Sequence, residues 1–167
     1  ALPIYSAGGL RGTKRLLYEG GIRAAMAVRW PDHVPAGRKS TFVWDMRDIF
    51  PTLCELGNAK NPENLDGISV VPTLMGKKQK SRDIHYWEIH SPFQQAVRSG
   101  DWKAIRFGTE EPLELYDLKN DPQETQNVAA DNPAVVQKLE TFLASARTDS
   151  PYFPAVQKKK RKKKKAL

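Results

Sequence analysis

The residues best suited to chemistry lie close together near the start of the chain. Gly8-Gly9-Leu10-Arg11-Gly12-Thr13-Lys14-Arg15 sets one lysine in a glycine-rich loop, and Tyr18-Glu19-Gly20-Gly21-Ile22-Arg23 follows two residues later. An ammonium beside flexible glycine backbone supplies a cation and N–H donors, the groups that stabilise negative charge developing on an oxygen. Lys14 is therefore the candidate for contact with an anion. Arg11 could approach the same anion or pair with a carboxylate such as Glu19. Tyr18 to Gly21 read as a turn that aims the chain into the next element, the glycines adopting backbone conformations that side chains forbid.

The other polar residues make weaker claims. His33, His85 and His90 lack the close helical spacing of a zinc pair, and no cysteine cluster supports them. Gly100-Asp101 reads as a hairpin turn, and Asp117 and Asp121 flank a turn completed by Pro122, so these aspartates are structural rather than metal ligands. Cys54 is the only cysteine. It stands among apolar residues as a small inert thiol, and no intrachain disulfide is possible.

Charge is distributed unevenly. The net charge of +8 comes from Lys158 to Lys165, an unbroken basic run, and without it 19 basic residues balance 19 acidic ones. Such a run repels itself and reads as a disordered tail. The alternative to an enzymatic role is a module that binds polyanions through this tail. The rest of the chain shows no basic patch with interleaved aromatics, so sequence-specific nucleic-acid binding is not expected. There is no run of about 18 apolar residues to span a membrane, and no signal peptide is visible.

These motifs must be positioned by elements of two kinds. Ala24 to Trp30 reads as a short strand apolar on both faces, as in the interior of an α/β sheet. Val43, Met46, Ile49, Phe50, Leu53, Cys54 and Leu56 recur at spacings of three and four, which predicts an amphipathic helix. It starts near Ile49 or Phe50 with Asp48 as cap, keeps Pro51 in its first turn and stops at Gly57-Asn58. Residues 59–81 read as a long surface connection with an apolar island at Ile68 to Leu74. Ile84 to Ile89, Gln95 to Arg98, Trp102 to Phe107 and Leu113 to Leu118 have strand composition and short turns between them, which predicts an antiparallel meander. Pro133 opens a last helix with one apolar stripe, Val135, Val136, Leu139, Phe142 and Leu143. The organisation expected is residues 1–80 as the end of an α/β core, 81–150 as a small α+β subdomain of four antiparallel strands and a packed helix, and 151–167 as the basic tail.

Taken in order, GLRGTK, YEGGIR, VRWP, PAG, IFPTLCELG, the DG and PTL island, QAVRSGDWKAIR and LELYDLKNDPQETQNVA resemble the C-terminal part of sulfatases. They are most similar to bacterial arylsulfatase-type members of the alkaline-phosphatase-like superfamily, from Gly8 to Arg147. The resemblance implies a C-terminal fragment of an alkaline-phosphatase-like α/β core followed by the α+β subdomain. It implies hydrolysis of sulfate esters at a calcium-bound formylglycine made from a Cys-x-Pro/Ser-x-Arg motif. That motif is absent: Cys54 is followed by Glu55-Leu56-Gly57-Asn58. The family's acidic calcium ligands correspond to positions before Ala1, so the chain alone is expected to be inactive and to bind no catalytic metal. The family's sulfate-contacting lysine corresponds to Lys14, in a catalytic and substrate-binding role. The family's strand ending at His90 faces the mouth of the active site, which makes His90 a second substrate-binding candidate. The resemblance further implies a sulfated small molecule or carbohydrate as substrate, the missing N-terminal core as partner, and a periplasmic or extracellular location.

Overall fold

Four strands in sequence order, β1 (His85–Ile89), β2 (Gln94–Ser99), β3 (Trp102–Arg106) and β4 (Glu114–Asp117), form one antiparallel sheet in the computed structural model, which describes residues 7–155. Before them come the short helix α1 (Glu19–Ile22), a 3-10 turn (Met46–Asp48), α2 (Ile49–Leu56) and α3 (Val71–Leu74), and after them α4 (Pro133–Ala146). The meander expected from composition is present, each strand within a residue or two of its predicted bounds. Ser99 pairs with Trp102, leaving Gly100-Asp101 as a two-residue turn in which Gly100 takes φ +60°, the left-handed conformation that primed hairpin turns require.

Because side chains alternate along a strand, each strand feeds two different cores. Val97, Ala104 and Leu115 point to one face and pack with Leu139 and Leu143 of α4. Pro133 starts this helix at a position where its missing N–H is harmless, and the (i, i+4) pair Leu139 and Leu143 forms the buried stripe. Each such leucine contributes about 1.5–3 kcal/mol through burial. Ala96, Ile105 and Tyr116 point to the opposite face, where Leu17 and Tyr18 cover them.

This second face changes the domain boundary drawn at residue 80. Among the described residues, 7–24 form one compact unit with 82–155, and Ala25–Ser81 form the other. The physical reason is the two-sided sheet: α4 covers one face, and the segment after the lysine loop covers the other.

In the unit of residues 25–81, α2 begins at Ile49 and stops at Gly57 as expected. Asp48 occupies its N-cap position, but its side chain makes no capping hydrogen bond to the helix. Asp45 caps the preceding 3-10 turn by accepting from Arg47 N, while the buried Asp48 side chain accepts from Asp45 N at 3.0 Å and Ile68 N at 2.8 Å. Thr52 Oγ1 accepts from Val70 N at 3.0 Å, so the island at Ile68 to Val70 is stitched to the helix by two side chains. The apolar stripe predicted for this helix is not a buried one: Met46, Phe50 and Leu53 are exposed. Nor do residues 24–30 form a strand. Among the described residues none pairs with them, and Met26 and Val28 are exposed, because an apolar segment becomes a strand only where neighbouring strands accept its backbone groups. No helix among the described residues is long and apolar enough to cross a membrane. The basic run Lys158 to Lys165 lies outside the described residues.

Candidate functional site

The lysine loop is a turn clamped onto the sheet. Leu16 N donates to Thr13 O at 3.0 Å, which places Lys14 and Arg15 at the two central positions of a turn. Arg15 has φ +77°, as the third residue of a type II turn must, although that place normally belongs to glycine or asparagine. Lys14 is exposed at the tip and makes no hydrogen bond or ion pair with the described residues. Three contacts hold the turn from beneath. The carboxamide of Gln94, fully buried at the start of β2, donates from Nε2 to Arg15 O at 3.1 Å and accepts from Leu17 N at Oε1 at 3.3 Å. The guanidinium of Arg15 donates to Ser91 O at 2.9 Å.

Arg11 does not pair with Glu19, whose ion-pair partners are Arg23 and Lys103. Arg11 Nη1 donates to Tyr116 Oη at 2.9 Å and to Glu124 O at 2.8 Å, and its guanidinium lies 4.0 Å from the centroid of the Tyr18 ring. Tyr18 and Tyr116 both donate to Glu114 Oε2, at 2.6 and 2.7 Å. Burial, reinforced by that carboxylate, pushes the Tyr116 phenol up to about 12 and moves the Tyr18 phenol in the same direction. Arg11 is thus spent on the floor of the loop, leaving Lys14 as the cation at its tip.

Glu19 pairs with a different cation. Lys103, fully buried on β3, places Nζ 2.8 Å from Glu19 Oε1 and 2.9 Å from Glu124 Oε1. The first contact is a hydrogen bond; the second is an ion pair by distance, without hydrogen-bond alignment. Glu124 Oε2 also accepts from Glu19 N at 2.5 Å. Burial lifts the Glu124 carboxyl above the ordinary glutamate value, with the charge of Glu19 adding to the rise and Lys103 opposing it. Glu124 sits at φ +56°, a conformation that costs a non-glycine residue about 1–2 kcal/mol and that these contacts hold in place. The glycines after Glu19 are there for space: a Cβ on Gly21 would run into the carbonyl oxygen of Leu16.

His90 ends the turn side of β1, one residue before the Ser91 carbonyl that Arg15 grips. The fold therefore brings the Lys14 turn and the His90 corner to the same end of the sheet. The His90 ring packs edge-on against Phe153 at 5.9 Å, and its Nδ1 is buried without a hydrogen-bond partner. Arg147 ties this corner down by donating to Glu88 Oε2 at 3.0 Å and to the Phe153 carbonyl.

Sequence reading passed over Gln94, Lys103 and Glu124. A signal was available for Lys103: strand alternation puts it on the same face as Ile105, and a charge at an inward position needs a buried partner. Gln94 and Glu124 gave no such signal, being polar residues at the edges of elements.

Residues 12–149 match the family described as N-sulphoglucosamine sulphohydrolase, C-terminal. The chain belongs to the sulfatases. It is 34% identical to the N-acetylgalactosamine-6-O-sulfatase of Bacteroides thetaiotaomicron, over 83% of this chain and 30% of that protein. It is 31% identical to human arylsulfatase A, over 84% of this chain and 34% of that protein. A Bacteroides thetaiotaomicron protein solved in work on the metabolism of multiple glycosaminoglycans superposes with a TM-score of 0.72 at 32% identity, over 83% of this chain and 32% of that one. A 2-O GAG sulfatase superposes with a TM-score of 0.54 at 32% identity, over 59% of this chain and 23% of that one. The four-stranded sheet and its helix are the C-terminal subdomain of the alkaline-phosphatase-like sulfatase fold, and this sulfatase chain spans about a third of the length of these relatives.

Proposed function

We propose that this chain forms one wall of a sulfatase active site and that Lys14 contacts the sulfate group of the substrate. One observation carries this reading: Lys14 is an exposed ammonium without a partner among the described residues, on a turn whose following backbone is fixed to the sheet by Gln94 and Ser91. A cation that needs no reorganisation is the kind that stabilises charge developing on a leaving oxygen or on a transferring sulfuryl group. His90, at the same end of the sheet, binds the substrate beside it.

The family's calcium and formylglycine supply an electrophilic metal and the nucleophile. The residues described here do not fit either group. No three His, Cys, Asp or Glu residues among them cluster to hold a metal ion, and Cys54 is followed by Glu55-Leu56-Gly57-Asn58. The steps assigned to this chain are therefore anion binding and charge stabilisation, and the isolated chain hydrolyses no sulfate ester. The N-terminal sulfatase core is the partner that supplies the rest. A sulfated carbohydrate is the favoured substrate class, supported by the names of the glycosaminoglycan-directed relatives, and a periplasmic or extracellular location is the one the family resemblance implies.

The test uses the full-length protein encoded by the reading frame that contains this chain, assayed for sulfate release from 6-O-sulfated N-acetylgalactosamine and 4-nitrophenyl sulfate. Lys14→Ala lowers kcat/KM at least tenfold, about 1.4 kcal/mol of transition-state stabilisation. Unchanged turnover in that variant removes Lys14 from the site. A full-length protein that lacks the Cys-x-Pro/Ala/Ser-x-Arg motif and releases no sulfate from either compound overturns the whole reading.

A further inference from the structure

We infer that Gln94 is the positioning residue for Lys14, acting through the backbone of the turn and never touching the substrate. The inference rests on the proposed role of Lys14 and adds what holds that lysine in place.

The turn has a built-in reason to collapse. Arg15 at φ +77° occupies a left-handed conformation without glycine's freedom, a strained arrangement that persists only where the surroundings over-determine it. Apart from the turn's own Leu16 N to Thr13 O bond, its fixed points come from the β1–β2 corner. Gln94 reaches the backbone on both sides of Leu16 with one planar group, donating to Arg15 O and accepting from Leu17 N. Arg15 adds the bond to Ser91 O from the same corner. Gln94 is itself fully buried in the first position of β2, opposite Ile89, so its amide is held by the sheet rather than by solvent.

A carboxamide is the group this job needs. It presents one donor and one acceptor side by side, matching a carbonyl and an amide N–H on the turn. Leucine of similar bulk offers neither group and takes the partner from the buried Leu17 N–H and from the Arg15 carbonyl. Ionised glutamate keeps the acceptor but sets a second oxygen against the Arg15 carbonyl. Protonated glutamate restores a donor, so Gln94→Glu turns the clamp into a group that works only when neutral. Burial favours that neutral form and brings its protonation toward the range in which the enzyme can be assayed.

The experiment compares full-length wild type, Lys14→Ala, Gln94→Leu, Gln94→Glu and the Lys14→Ala/Gln94→Leu double variant. Two readouts are taken: kcat and KM for 6-O-sulfated N-acetylgalactosamine, and hydrogen–deuterium exchange of residues 10–18. Gln94→Leu lowers kcat/KM about tenfold, the scale of two backbone hydrogen bonds removed together. It speeds exchange of residues 10–18 and leaves exchange of α4 unchanged. In the Lys14→Ala background the same substitution costs less than about twofold, because a positioning residue has nothing left to position. Gln94→Glu, normalised to wild type at each pH, regains activity as pH falls.

If Lys14→Ala is impaired while Gln94→Leu keeps wild-type turnover and exchange, the positioning role is overturned and the role of Lys14 stands. Full additivity of the two substitutions also overturns it. If Lys14→Ala is unimpaired, the reading of Lys14 fails, and unchanged exchange in Gln94→Leu would reject the clamp as well. Should Gln94→Leu not fold, the pH series of Gln94→Glu decides: a ratio to wild type that stays flat with pH rejects the inference.

Discussion

Replacing Lys103 by methionine tests whether the buried charge cluster holds the lysine-loop segment on the sheet. Methionine keeps most of the side-chain bulk and removes the ammonium that lies 2.8 Å from Glu19 and 2.9 Å from Glu124. Two buried carboxylates then face one another with the exposed Arg23, 3.8 Å from Glu19 Oε2, as the remaining cation nearby. Removing one partner of a buried ion pair costs about 3–5 kcal/mol, because the remaining charge is left without compensation. Whole domains are stable by only about 5–15 kcal/mol, so this one change consumes a large share. Urea unfolding, followed by fluorescence of the sheet residues Trp87 and Trp102, reads the loss as a midpoint lowered by about 1.5–2.5 M at a slope near 2 kcal/mol per M. The pH dependence adds a second test. The folded pKa of Glu124 is raised, so its contribution to stability is complete below the unfolded value of 4.5 and is lost as pH rises through the folded value. Without Lys103 to oppose the rise, that folded value climbs further, and the deficit of Lys103→Met shrinks as pH falls from 7 toward 4.5. Adding Glu19→Gln and Glu124→Gln to Lys103→Met recovers much of the midpoint, since neutral groups need no counter-charge. A midpoint within about 0.3 M of wild type at pH 7, or a deficit that does not shrink in acid, refutes the reasoning.

Two further outcomes follow from the same site. The phenol of Tyr116 is pushed up to about 12, mainly by burial, so absorbance at alkaline pH shows it still protonated in the folded protein near pH 11; the stability it carries is complete below about 10 and is lost as pH rises through 12, and titration of every tyrosine near 10 would show that the cluster is open. His90→Ala raises KM for the sulfated sugar about fivefold, the scale of one hydrogen bond, with kcat within about twofold; an unchanged KM shows that His90 does not meet the substrate.

The sheet was legible because its strands are short, bounded by turn residues and connected locally, so that residues near in sequence satisfy one another. The same holds for α4, whose start at Pro133 and stripe through Leu139 and Leu143 need no distant information. Ala24 to Trp30 was misread because its composition describes a buried strand while strand formation depends on a neighbour, and none of the described residues pairs with it. The helix α2 was placed correctly, yet its face at Phe50 and Leu53 is exposed, as is Met46 in the turn before it, since periodicity shows which face is apolar and not what covers it.

By itself the amino-acid sequence determined the family, through a series of motifs in register, and it singled out Lys14 as the cation in a glycine-rich loop. Only the tertiary structure decided how that lysine is held. Gln94, Lys103 and Glu124 lie 80, 89 and 110 positions from Lys14 in the chain, and their amide and charges gain their force from burial, where an unpaired group is costly and a paired one fixes geometry. Spacing along a chain reports neighbours on one element. It does not report that a lysine on β3 and a glutamate beyond β4 close around Glu19, because that meeting exists only once both faces of the sheet have been covered.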